Sequence, residues 1–522
     1  MLLPTSITSV GAVLPLLLAV CYAADDLSTA GAAPMSSAAA TTYLNTGKTC
    51  CAALELALPG KVSGNNTAPY ISSLASYWSV QEESVHPTCV VSATTTQDVA
   101  IAVFILTVGG ELLPGQCDFA VRSGGHTPFA GAANIDQGIT IDLSALNQVT
   151  PSKDLSSVTV GPGNRWAQVY SKLDALGIAI GGGRVGIVGV GGLTLGGGLS
   201  FFSPRYGFVC DNIIRYEIVL ASGLTINVTQ TSFPDLWVAL KGGSNNFGVV
   251  TAFESTAFPQ GKFWGGFIGN PGSTKDAQFK AFEEFTGNPN YDPYAALINS
   301  YIFTPATNSW FIANNLEYTK NQSYPPYFQN FTSLPQIFNT MRISNLTDFT
   351  LELSASNPDG RRQLFVTGTY SNSAKMMSEI FNIANSTVQA LIPVPGISYS
   401  LSFQPEPTII TSKAASRGGN SLGLTAADGN LFNLLLTVSW DSSAYDALID
   451  TQAKALSDQA ETYAKANGFY NEYLYLNYAA PWQKPIAGYG AANVANLMAV
   501  SRKYDPLQVF QKQVPGGFKL DQ

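Results

Sequence analysis

Histidine and positive charge are both scarce in this sequence of 522 residues. It has 2 histidines, and its 27 lysines and arginines are outnumbered by 35 acidic residues, which gives a formal net charge of −8 at pH 7. A net negative chain is repelled by nucleic-acid phosphates and by anionic lipid surfaces. We therefore expect neither nucleic acid nor a membrane as a partner.

The shortage of histidine also excludes two kinds of catalytic site. Residues 419–423 spell G-x-S-x-G, the elbow of serine hydrolases, but that fold needs a histidine later in the chain and none follows His126. Two histidines and the tandem Cys50-Cys51 give no usable spacing for metal ligands. A cofactor is therefore expected to supply the reactivity.

The N-terminus predicts entry into the secretory pathway. Residues 1–23 combine an apolar stretch with small residues and two following acids, which is typical of a cleaved signal peptide, and the Ala/Ser/Thr-rich residues 24–44 are expected to be flexible. Four of the five remaining cysteines precede His126, so we expect disulfides between the N-terminal segment and the next domain, with a pairing that the sequence leaves open. Secretion also predicts N-glycans at the Asn-x-Ser/Thr sequons of Asn65, Asn227, Asn321, Asn330, Asn345 and Asn385.

The hydrophobic patterns divide the chain into three regions. Short strands such as "FAVRSGG", "GITIDLS" and "SVTVGPG" interleave with helices such as "NRWAQVYSKLDALG" between residues 45 and 258, which predicts an α/β domain. Residues 259–479 contain longer strands and helices, typical of an α+β domain with an antiparallel sheet. Residues 480–522 end in a helix, and we predict that they return to the first domain.

A glycine run spans residues 181–198, "GGGRVGIVGVGGLTLGGG". Apolar residues interleaved with its glycines argue against a flexible linker and favour a backbone that approaches a ligand closely. Gly181, Gly183 and Gly186 match the G-x-G-x-x-G fingerprint, but more glycine follows in place of a helix, and the residue twenty positions on is Tyr206, not an acid. A Rossmann dinucleotide site is therefore excluded.

Two further motifs are candidates for a binding site. "VRSGGH" ends a predicted strand, and its glycines can present amide donors to a pyrophosphate, although composition alone leaves His126 as a surface turn residue. "YLYLNY" alternates with period two, which predicts a strand that lines a cavity with Tyr473, Tyr475 and Asn477 on one face.

These motifs occur together in an order that resembles one family. "SYWSVQ", "FAVRSGGH", "GITIDLSALNQV", "VGVGGLTLGGGLSFFSPRYGFVCDNI", "DLWVALKGGSNNFGVVT", "YLNYA" and "KYDPLQVFQ" are similar to FAD-linked oxidases of the p-cresol methylhydroxylase and vanillyl-alcohol oxidase fold, in the berberine-bridge-enzyme-like branch as it occurs in fungi. The resemblance implies an α+β flavoprotein with a split FAD-binding domain of the p-cresol methylhydroxylase type, residues 45–258 and 480–522, around a substrate domain, residues 259–479.

The resemblance also implies how the flavin is held. His126 occupies the position of the histidine bonded covalently to the 8α-methyl of FAD. Val185 occupies the position of a second, cysteinyl attachment in many relatives, so we expect FAD to be held by His126 alone. Val188 corresponds to a position that controls access of dioxygen. The remaining cofactor contacts implied by the motifs are Arg122, Ser123, Gly124, Gly125, Gly191, Gly192, Gly197, Tyr206, Asp211, Asn212, Asn477 and Tyr478.

The predicted function is that of a secreted oxidase. Hydride passes from a small organic substrate, expected to be a secondary metabolite, to covalent FAD, and dioxygen reoxidises the flavin to give hydrogen peroxide. Tyr475 is either the catalytic base or a residue that positions the substrate, because an unperturbed phenol titrates near ~10. A mono- or oligosaccharide oxidase and a non-redox flavoprotein that binds ligand or promotes cyclisation stay open as alternatives. The sequence does not indicate an oligomeric state.

Overall fold

The computed structural model describes residues 47–520, so the predicted signal peptide (1–23) and flexible N-terminus (24–44) lie outside the described residues. Helices and three β-sheets alternate along the chain. The α-helices, numbered in chain order, are α1 (Lys48–Ala57), α2 (Ala68–Leu74), α3 (Val80–Glu83), α4 (Thr96–Leu112), α5 (Trp166–Asp174), α6 (Val190–Leu195), α7 (Ser203–Tyr206), α8 (Pro234–Ala239), α9 (Lys275–Gly287), α10 (Gln329–Thr332), α11 (Leu346–Ala355), α12 (Ala374–Thr387), α13 (Thr408–Thr411), α14 (Lys413–Ser416), α15 (Asp446–Asn467), α16 (Ala491–Tyr504) and α17 (Val509–Lys512).

The first sheet is mixed. Its strands are β1 (Val62–Gly64), β2 (Cys89–Ser92), β3 (Phe119–Arg122) and β4 (Ile139–Asp142). They lie in the order β1-β2-β4-β3, with β4 parallel to both of its neighbours and β1 antiparallel to β2. Helix α4 connects β2 to β3, and Thr95 caps it by accepting a hydrogen bond from the amide of Asp98. This β-α-β unit places the end of β3 beside the end of β4.

The second sheet is antiparallel. Its strands are β5 (Val149–Pro151), β6 (Ser157–Val160), β7 (Ile178–Ile180), β8 (Ile213–Val219), β9 (Thr225–Val228) and β10 (Val249–Pro259). They lie in the order β5-β6-β10-β8-β9, and β7 pairs with the far end of β10. The glycine run follows β7, so the second sheet fixes where that run begins.

The third sheet, here called the large sheet, is also antiparallel. Its strands are β11 (Phe263–Pro271), β12 (Ala295–Thr304), β13 (Ser309–Tyr318), β14 (Phe338–Asn339), β15 (Arg342–Ser344), β16 (Arg362–Ser371), β17 (Ser398–Glu406), β18 (Leu431–Trp440) and β19 (Tyr470–Asn471). Their order is β14-β11-β13-β12-β17-β18-β16-β19, with β15 paired to β11.

The two faces of the large sheet have different neighbours. Leu434 and Leu436 of β18 belong to a core that includes buried residues of α9, α12 and α15. Alternate strand residues point the other way. Accordingly Leu435 and Phe365 form a separate small cluster with Trp78, which belongs to the first region of the chain (residues 45–258). One face therefore packs on helices, and the other meets the rest of the chain.

Two disulfides and the C-terminal segment hold the first region together. Cys50 bonds to Cys117 and Cys51 to Cys89, which confirms the expected link between the N-terminal segment and the next domain, while Cys210 is free and buried. The C-terminal segment returns to the first region through hydrogen bonds that include Phe119 N to Gln513 O (2.8 Å) at β3, and Asn245 Nδ2 to Gly516 O (3.0 Å) and Asn246 Nδ2 to Phe518 O (2.9 Å) just before β10.

The predicted strands β3, β4 and β6 and helix α5 are confirmed, but the strand predicted for residues 473–478 is wrong. Only Tyr470–Asn471 is a strand, and Leu476–Tyr478 is a 3₁₀ turn. The period-two pattern arises because Tyr473 and Tyr475 are buried in an irregular segment, without a strand partner of their own. Helix α6 inside the glycine run was also not foreseen.

The remaining expectations concern membrane spans, metal sites and glycosylation. Within residues 47–520, no helix is long and apolar enough to cross a membrane, and no cluster of three or more potential metal ligands occurs. Five sequon asparagines are exposed: Asn65, Asn227, Asn321, Asn330 and Asn385. The sixth, Asn345, is half-buried and caps α11 through its side-chain oxygen. Glycosylation of these sites stays a prediction.

Candidate functional site

A cavity of about 280 Å³ lies where the first two sheets, the large sheet and the C-terminal segment meet. Its described walls are mostly apolar, and Arg184 is their one charged side chain. The wall residues used below are Ser123, Gly124, Gly125, His126, Arg184, Val185, Val188, Gly191, Gly192, Ile298, Phe365, Leu435, Tyr475, Asn477, Tyr478, Phe510, Val514 and Phe518. Stretches that lie far apart in the sequence therefore build one site.

The histidine loop, residues 123–127, follows β3 directly and forms part of this wall. Gly125 has a φ of +63°, which turns the backbone sharply and which glycine adopts without strain. Farther along, the buried carboxylate of Glu82 accepts hydrogen bonds from the amides of Gly131 (3.1 Å) and Ala133 (2.6 Å). The chain around His126 is thus fixed by the turn at Gly125 on one side and by the Glu82 side chain on the other.

His126 is neutral in this setting. Its imidazole lies face to face with the ring of Trp78, with 4.1 Å between ring centroids and 9° between ring planes. Burial, together with the nearby Arg165 cation, lowers the pKa of His126 to about 3. Its Nε2 is buried and has no hydrogen-bond partner within residues 47–520. A buried, unpartnered imidazole nitrogen in a cavity wall is available to bind or to react.

The glycine run lies against the histidine loop without intervening side chains. A Cβ added to Gly124 would collide with the backbone of Gly189, and one added to Gly189 would collide with Gly124. Ser123 fixes the same contact, because its hydroxyl donates to Pro162 O (2.6 Å) and accepts from the amide of Gly191 (3.1 Å). A Cβ on Gly192 would instead meet nothing within 4 Å. The two loops form a cradle of backbone and the Ser123 hydroxyl that is open at Gly192.

Two valines of the glycine run also line the cavity. Val185 and Val188 are both half-buried. Val185 supplies no thiol, and the single free cysteine of the described chain, Cys210, is buried and does not line the cavity. Burial raises the pKa of the Cys210 thiol well above its ordinary value.

Tyr475 lies in the wall beside the end of the glycine run. Its hydroxyl oxygen accepts hydrogen bonds from the amide of Leu199 (3.0 Å) and from Asn477 Nδ2 (3.0 Å). Burial raises the pKa of Tyr475 above its ordinary value, and the neighbouring Tyr478 adds to this, while Asn477 and Arg184 act in the opposite direction. Two donors aimed at one phenolic oxygen stabilise the negative charge that would develop there on proton loss.

Arg184 connects the glycine run to the large sheet. Its Nη2 donates to Gln404 Oε1 of β17 and to the hydroxyl of Tyr478 (3.1 Å). Two acids near it, Glu317 and Glu406, are fully buried, and burial raises the pKa of both, that of Glu406 to about 8. At neutral pH Glu406 is therefore mainly uncharged. The positive charge of Arg184 stays largely uncompensated in an apolar wall.

The structure brings most of the predicted site residues together but leaves five outside the wall. The guanidinium of Arg122 forms a buried ion pair with Asp142 (3.0 Å) and so holds β3 to β4. The other four shape the turn after the glycine run or pack beside it. Asn212 Nδ2 donates to Tyr206 O and Phe208 O, Asp211 accepts from Phe208 N and Asn420 Nδ2, Tyr206 stacks on Phe258, and Gly197 has a φ of +104° beside Leu422.

Sequence reasoning missed Trp78, which stacks on His126 without itself lining the cavity, and two groups of wall residues. Trp78 was quoted only as part of a motif, and Arg184 was part of the glycine run, so a charged residue inside a glycine-rich segment was the available signal. Ile298, Phe365 and Leu435 are ordinary strand residues whose role depends on which face of the large sheet meets the cavity. No local pattern distinguishes them from core residues.

The residues present fit the FAD that the resemblance implies. A flat, backbone-lined cradle accepts a phosphate-bearing or planar group closely, and its open side at Gly192 faces the cavity. The orphaned Nε2 of His126 lies in the same wall. His126 and the cradle would hold the cofactor, and the remaining apolar wall would leave room for a substrate.

Comparisons with known proteins agree with this geometry. Residues 87–229 match the family described as FAD binding domain. The chain is 41% identical over 477 residues to the FAD-dependent monooxygenase sdcF of Emericella nidulans, covering 90% of this chain and 98% of that protein. It is 38% identical to the FAD-dependent monooxygenase CTB5 of Cercospora beticola, covering 91% and 92%.

Solved structures with low sequence identity share the fold. The 6-hydroxy-D-nicotine oxidase of Arthrobacter nicotinovorans has a TM-score of 0.71 at 21% identity, covering 87% of this chain and 96% of that one. The wild-type BBE-like 1 protein of Physcomitrella patens has a TM-score of 0.70 at 20% identity, covering 91% and 99%. A chitooligosaccharide oxidase has a TM-score of 0.67 at 19% identity, covering 91% and 100%.

Proposed function

Because the chain belongs to the berberine-bridge-enzyme-like family of FAD-dependent oxidoreductases, we propose that it is an oxidase whose flavin is bonded to His126 alone. The observation that carries this proposal is the neutral imidazole of His126, whose buried Nε2 has no partner in the described chain and lies in the cavity wall. A neutral imidazole has the lone pair that a nucleophile needs.

Bound FAD would supply the redox chemistry, accepting a hydride from a substrate C–H bond and passing the electrons to dioxygen to give hydrogen peroxide. The protein's own part is to hold and orient the cofactor and the substrate and to exclude water. The half-buried Val188 leaves space in the wall, which supports access of dioxygen. Val185 supports a single attachment, because no thiol is present at that position.

The proposed substrate is a small, mostly apolar secondary metabolite. Ile298, Phe365 and Leu435 present aliphatic and aromatic surface to the cavity from three strands of the large sheet. Arg184 adds a cation, which favours a substrate with an acidic or hydrogen-bond-accepting oxygen. Tyr475 is the proposed base or positioning group, because the two hydrogen bonds that its oxygen accepts offset part of the burial that raises its pKa.

A monooxygenase is the second candidate, because the relatives with 41% and 38% identity carry that name. The two reactions distribute oxygen differently. An oxidase releases both atoms of dioxygen as hydrogen peroxide, whereas a monooxygenase places one atom in the product. Turnover under ¹⁸O-labelled dioxygen separates them by mass spectrometry of the product.

A sugar oxidase would show a peroxide burst with sugars and none with apolar aromatic compounds. A non-redox flavoprotein would show no flavin reduction with its true ligand under anaerobic conditions.

The test of attachment is acid precipitation of the purified protein followed by flavin spectroscopy of the pellet. We expect the wild type to retain its flavin in the pellet and His126→Ala to lose it to the supernatant. The matched controls are His86→Ala, which removes the other, exposed histidine, and Cys210→Ala. A wild-type pellet without flavin, or a flavin retained in His126→Ala, would refute attachment through His126.

A further inference from the structure

Residues 78–81 form a strap between the histidine loop and the large sheet. The amide of Trp78 donates to Gly125 O (2.9 Å), and the hydroxyl of Ser79 donates to Thr127 O (3.3 Å). These two bonds bracket the histidine that lies between positions 125 and 127. The strap therefore fixes the loop on both sides of its imidazole.

The ring of Trp78 adds a third contact, to the imidazole itself. The indole lies on the ring of His126 in a parallel stack, and it is 2% exposed. Its Nε1 donates to Asn357 O (3.2 Å), and its other neighbour is Phe365 of β16, with ring centroids 5.1 Å apart. Because its hydrogen bond and its packing both come from the part of the chain that carries the large sheet, the orientation of the indole is set there.

The rest of the strap is hydrogen-bonded to the start of β16. Gln81 Nε2 donates to Gln363 O (2.8 Å), and its Oε1 accepts from Gln363 N (3.1 Å), so one side chain imitates a strand partner. The amide of Val80 donates to Arg361 O (3.0 Å). The strap thus joins two parts of the molecule that lie about 280 residues apart in the chain.

We propose that Trp78 is a positioning residue for flavin attachment, which holds the imidazole of His126 in the orientation needed for bond formation and does so only when the large sheet has docked on the strap. This inference rests on the proposed covalent bond at His126. Its physical basis is that stacking restricts rotation of the imidazole ring. This restriction raises the fraction of encounters with the flavin in which the reacting atoms are correctly oriented. The stack also keeps water from the imidazole.

Attachment of the flavin forms one bond and breaks two. A C–N bond forms between the imidazole and the 8α-carbon of FAD, and one C–H bond of that carbon and the imidazole N–H break. The two hydrogens and the electron pair stay on the reduced flavin until dioxygen removes them as hydrogen peroxide. Trp78 gains and loses no atoms in this step, so its effect must appear in the rate or extent of attachment.

The experiment measures attachment directly. The full-length chain is produced under flavin limitation, FAD is added, and covalent flavin is followed over time by in-gel fluorescence and intact mass, at matched total bound flavin. We expect Trp78→Leu to slow attachment at least five-fold, Trp78→Phe to stay within two-fold of the wild type, and Gln81→Ala to slow it two- to five-fold. Trp482→Leu, which removes a half-buried indole that does not line the cavity, is the control and is expected at the wild-type rate.

Two results overturn the inference in distinguishable ways. If the wild type forms no covalent flavin, the proposed tether fails and the role of Trp78 falls with it. If the wild type forms the bond and both Trp78→Leu and Gln81→Ala do so at its rate, the tether stands and the positioning role is wrong. Should Trp78→Leu yield no folded protein, Gln81→Ala decides alone, because it leaves the indole in place and removes only the two docking bonds to Gln363.

Discussion

At the scale of single residues, Arg184 predicts ligand selectivity. Its guanidinium is the only charge among the described wall residues, and Nη2 alone is used in its described hydrogen bonds. In the flavin-loaded protein we expect 4-nitrophenol, as a probe with an acidic hydroxyl, to bind at least ten-fold more weakly to Arg184→Met than to the wild type. A hydrogen bond to a charged group contributes about 1.5–3 kcal/mol, which corresponds to this range. The measurement is a titration of the flavin absorbance.

The control for this titration is Arg215→Met, which removes an arginine paired with Glu254 outside the cavity and should leave the dissociation constant unchanged. Wild-type affinity should also rise from pH 6 to pH 7, because the probe begins to ionise to a phenolate while arginine keeps its charge and Glu406, whose pKa is raised to about 8, is still mainly uncharged. Equal affinities of wild type and Arg184→Met, or tighter binding at pH 6, would assign the substrate's polar contact to another residue.

Single residues also show where sequence reasoning reached its limit. His126 was identified through the order of motifs around it, since one histidine in a glycine turn has no specific meaning by itself. Arg122 belongs to the same motif, yet its side chain is directed to Asp142 and away from the cavity. A motif gives residue types and spacing, whereas the direction of a side chain depends on partners distant in the chain.

At the scale of elements, the contact between the histidine loop and the glycine run predicts opposite effects for two glycines. Gly189→Ala adds a methyl that collides with the backbone of Gly124, and such overpacking costs about 1–3 kcal/mol. We expect its thermal midpoint to fall by several degrees. Gly192→Ala adds a methyl in open space within α6, where alanine favours the helix, so its midpoint should be unchanged or slightly raised.

Gly189→Ala and Gly192→Ala are also expected to differ in flavin content. The methyl of Gly192→Ala projects from the wall into the open space of the cavity, so this variant should fold normally and bind less FAD. Differential scanning fluorimetry and flavin absorbance on the same samples measure both effects. Equal midpoints for the two variants would show that the loops do not depend on their backbone contact.

The error at residues 473–478 has a physical cause at this scale. Alternation of aromatic and aliphatic residues indicates that alternate side chains differ in environment, but it does not require a neighbouring strand. Here Tyr475 and Asn477 are ordered by each other and by Leu199, and Leu476 and Tyr478 line the cavity as well. Local periodicity predicted both the strand and the cavity-lining face wrongly: residues 475–478 of both alternating sets line the cavity and Tyr473 does not. Strand pairing and cavity exposure are long-range properties.

At the scale of the whole molecule, the disulfides predict a large share of the stability of the first region. Cys50 and Cys117 are 67 residues apart, and closing a loop of that length restricts the unfolded chain by about 4 kcal/mol. We expect Cys50→Ala combined with Cys117→Ala to lower the thermal midpoint and the resistance to proteolysis. The measurement is thermal unfolding with and without reductant.

Reductant serves as the internal control. It should lower the midpoint of the wild type markedly and that of the double variant less, since only the bond between Cys51 and Cys89 remains to be reduced. Cys210→Ala removes a free, buried thiol and should leave the response to reductant unchanged. A wild-type midpoint insensitive to reductant would contradict a stabilising role for either bond.

The division of the chain into an α/β first region and an α+β second region followed from the alternation of patterns, and the structure has mixed and antiparallel sheets in those places. The cavity could not be predicted in the same way. Its wall combines the histidine loop, strands of the large sheet and Phe510, Val514 and Phe518 near the end of the chain. Which surfaces meet depends on the docking of whole sheets, which leaves no local signature.

The cavity wall includes Phe510, Val514 and Phe518, so it is completed later in synthesis than the disulfides. Both disulfides involve residues up to Cys117, so they can close while the rest of the chain is still being made. Phe518 emerges about 400 residues later, which at roughly 5–20 residues per second is a delay of about 20–80 s. The wall that would hold the flavin is complete only after residue 518 has been made. A flavin held by this wall would therefore be taken up after that point, by a chain whose two disulfides can already be closed.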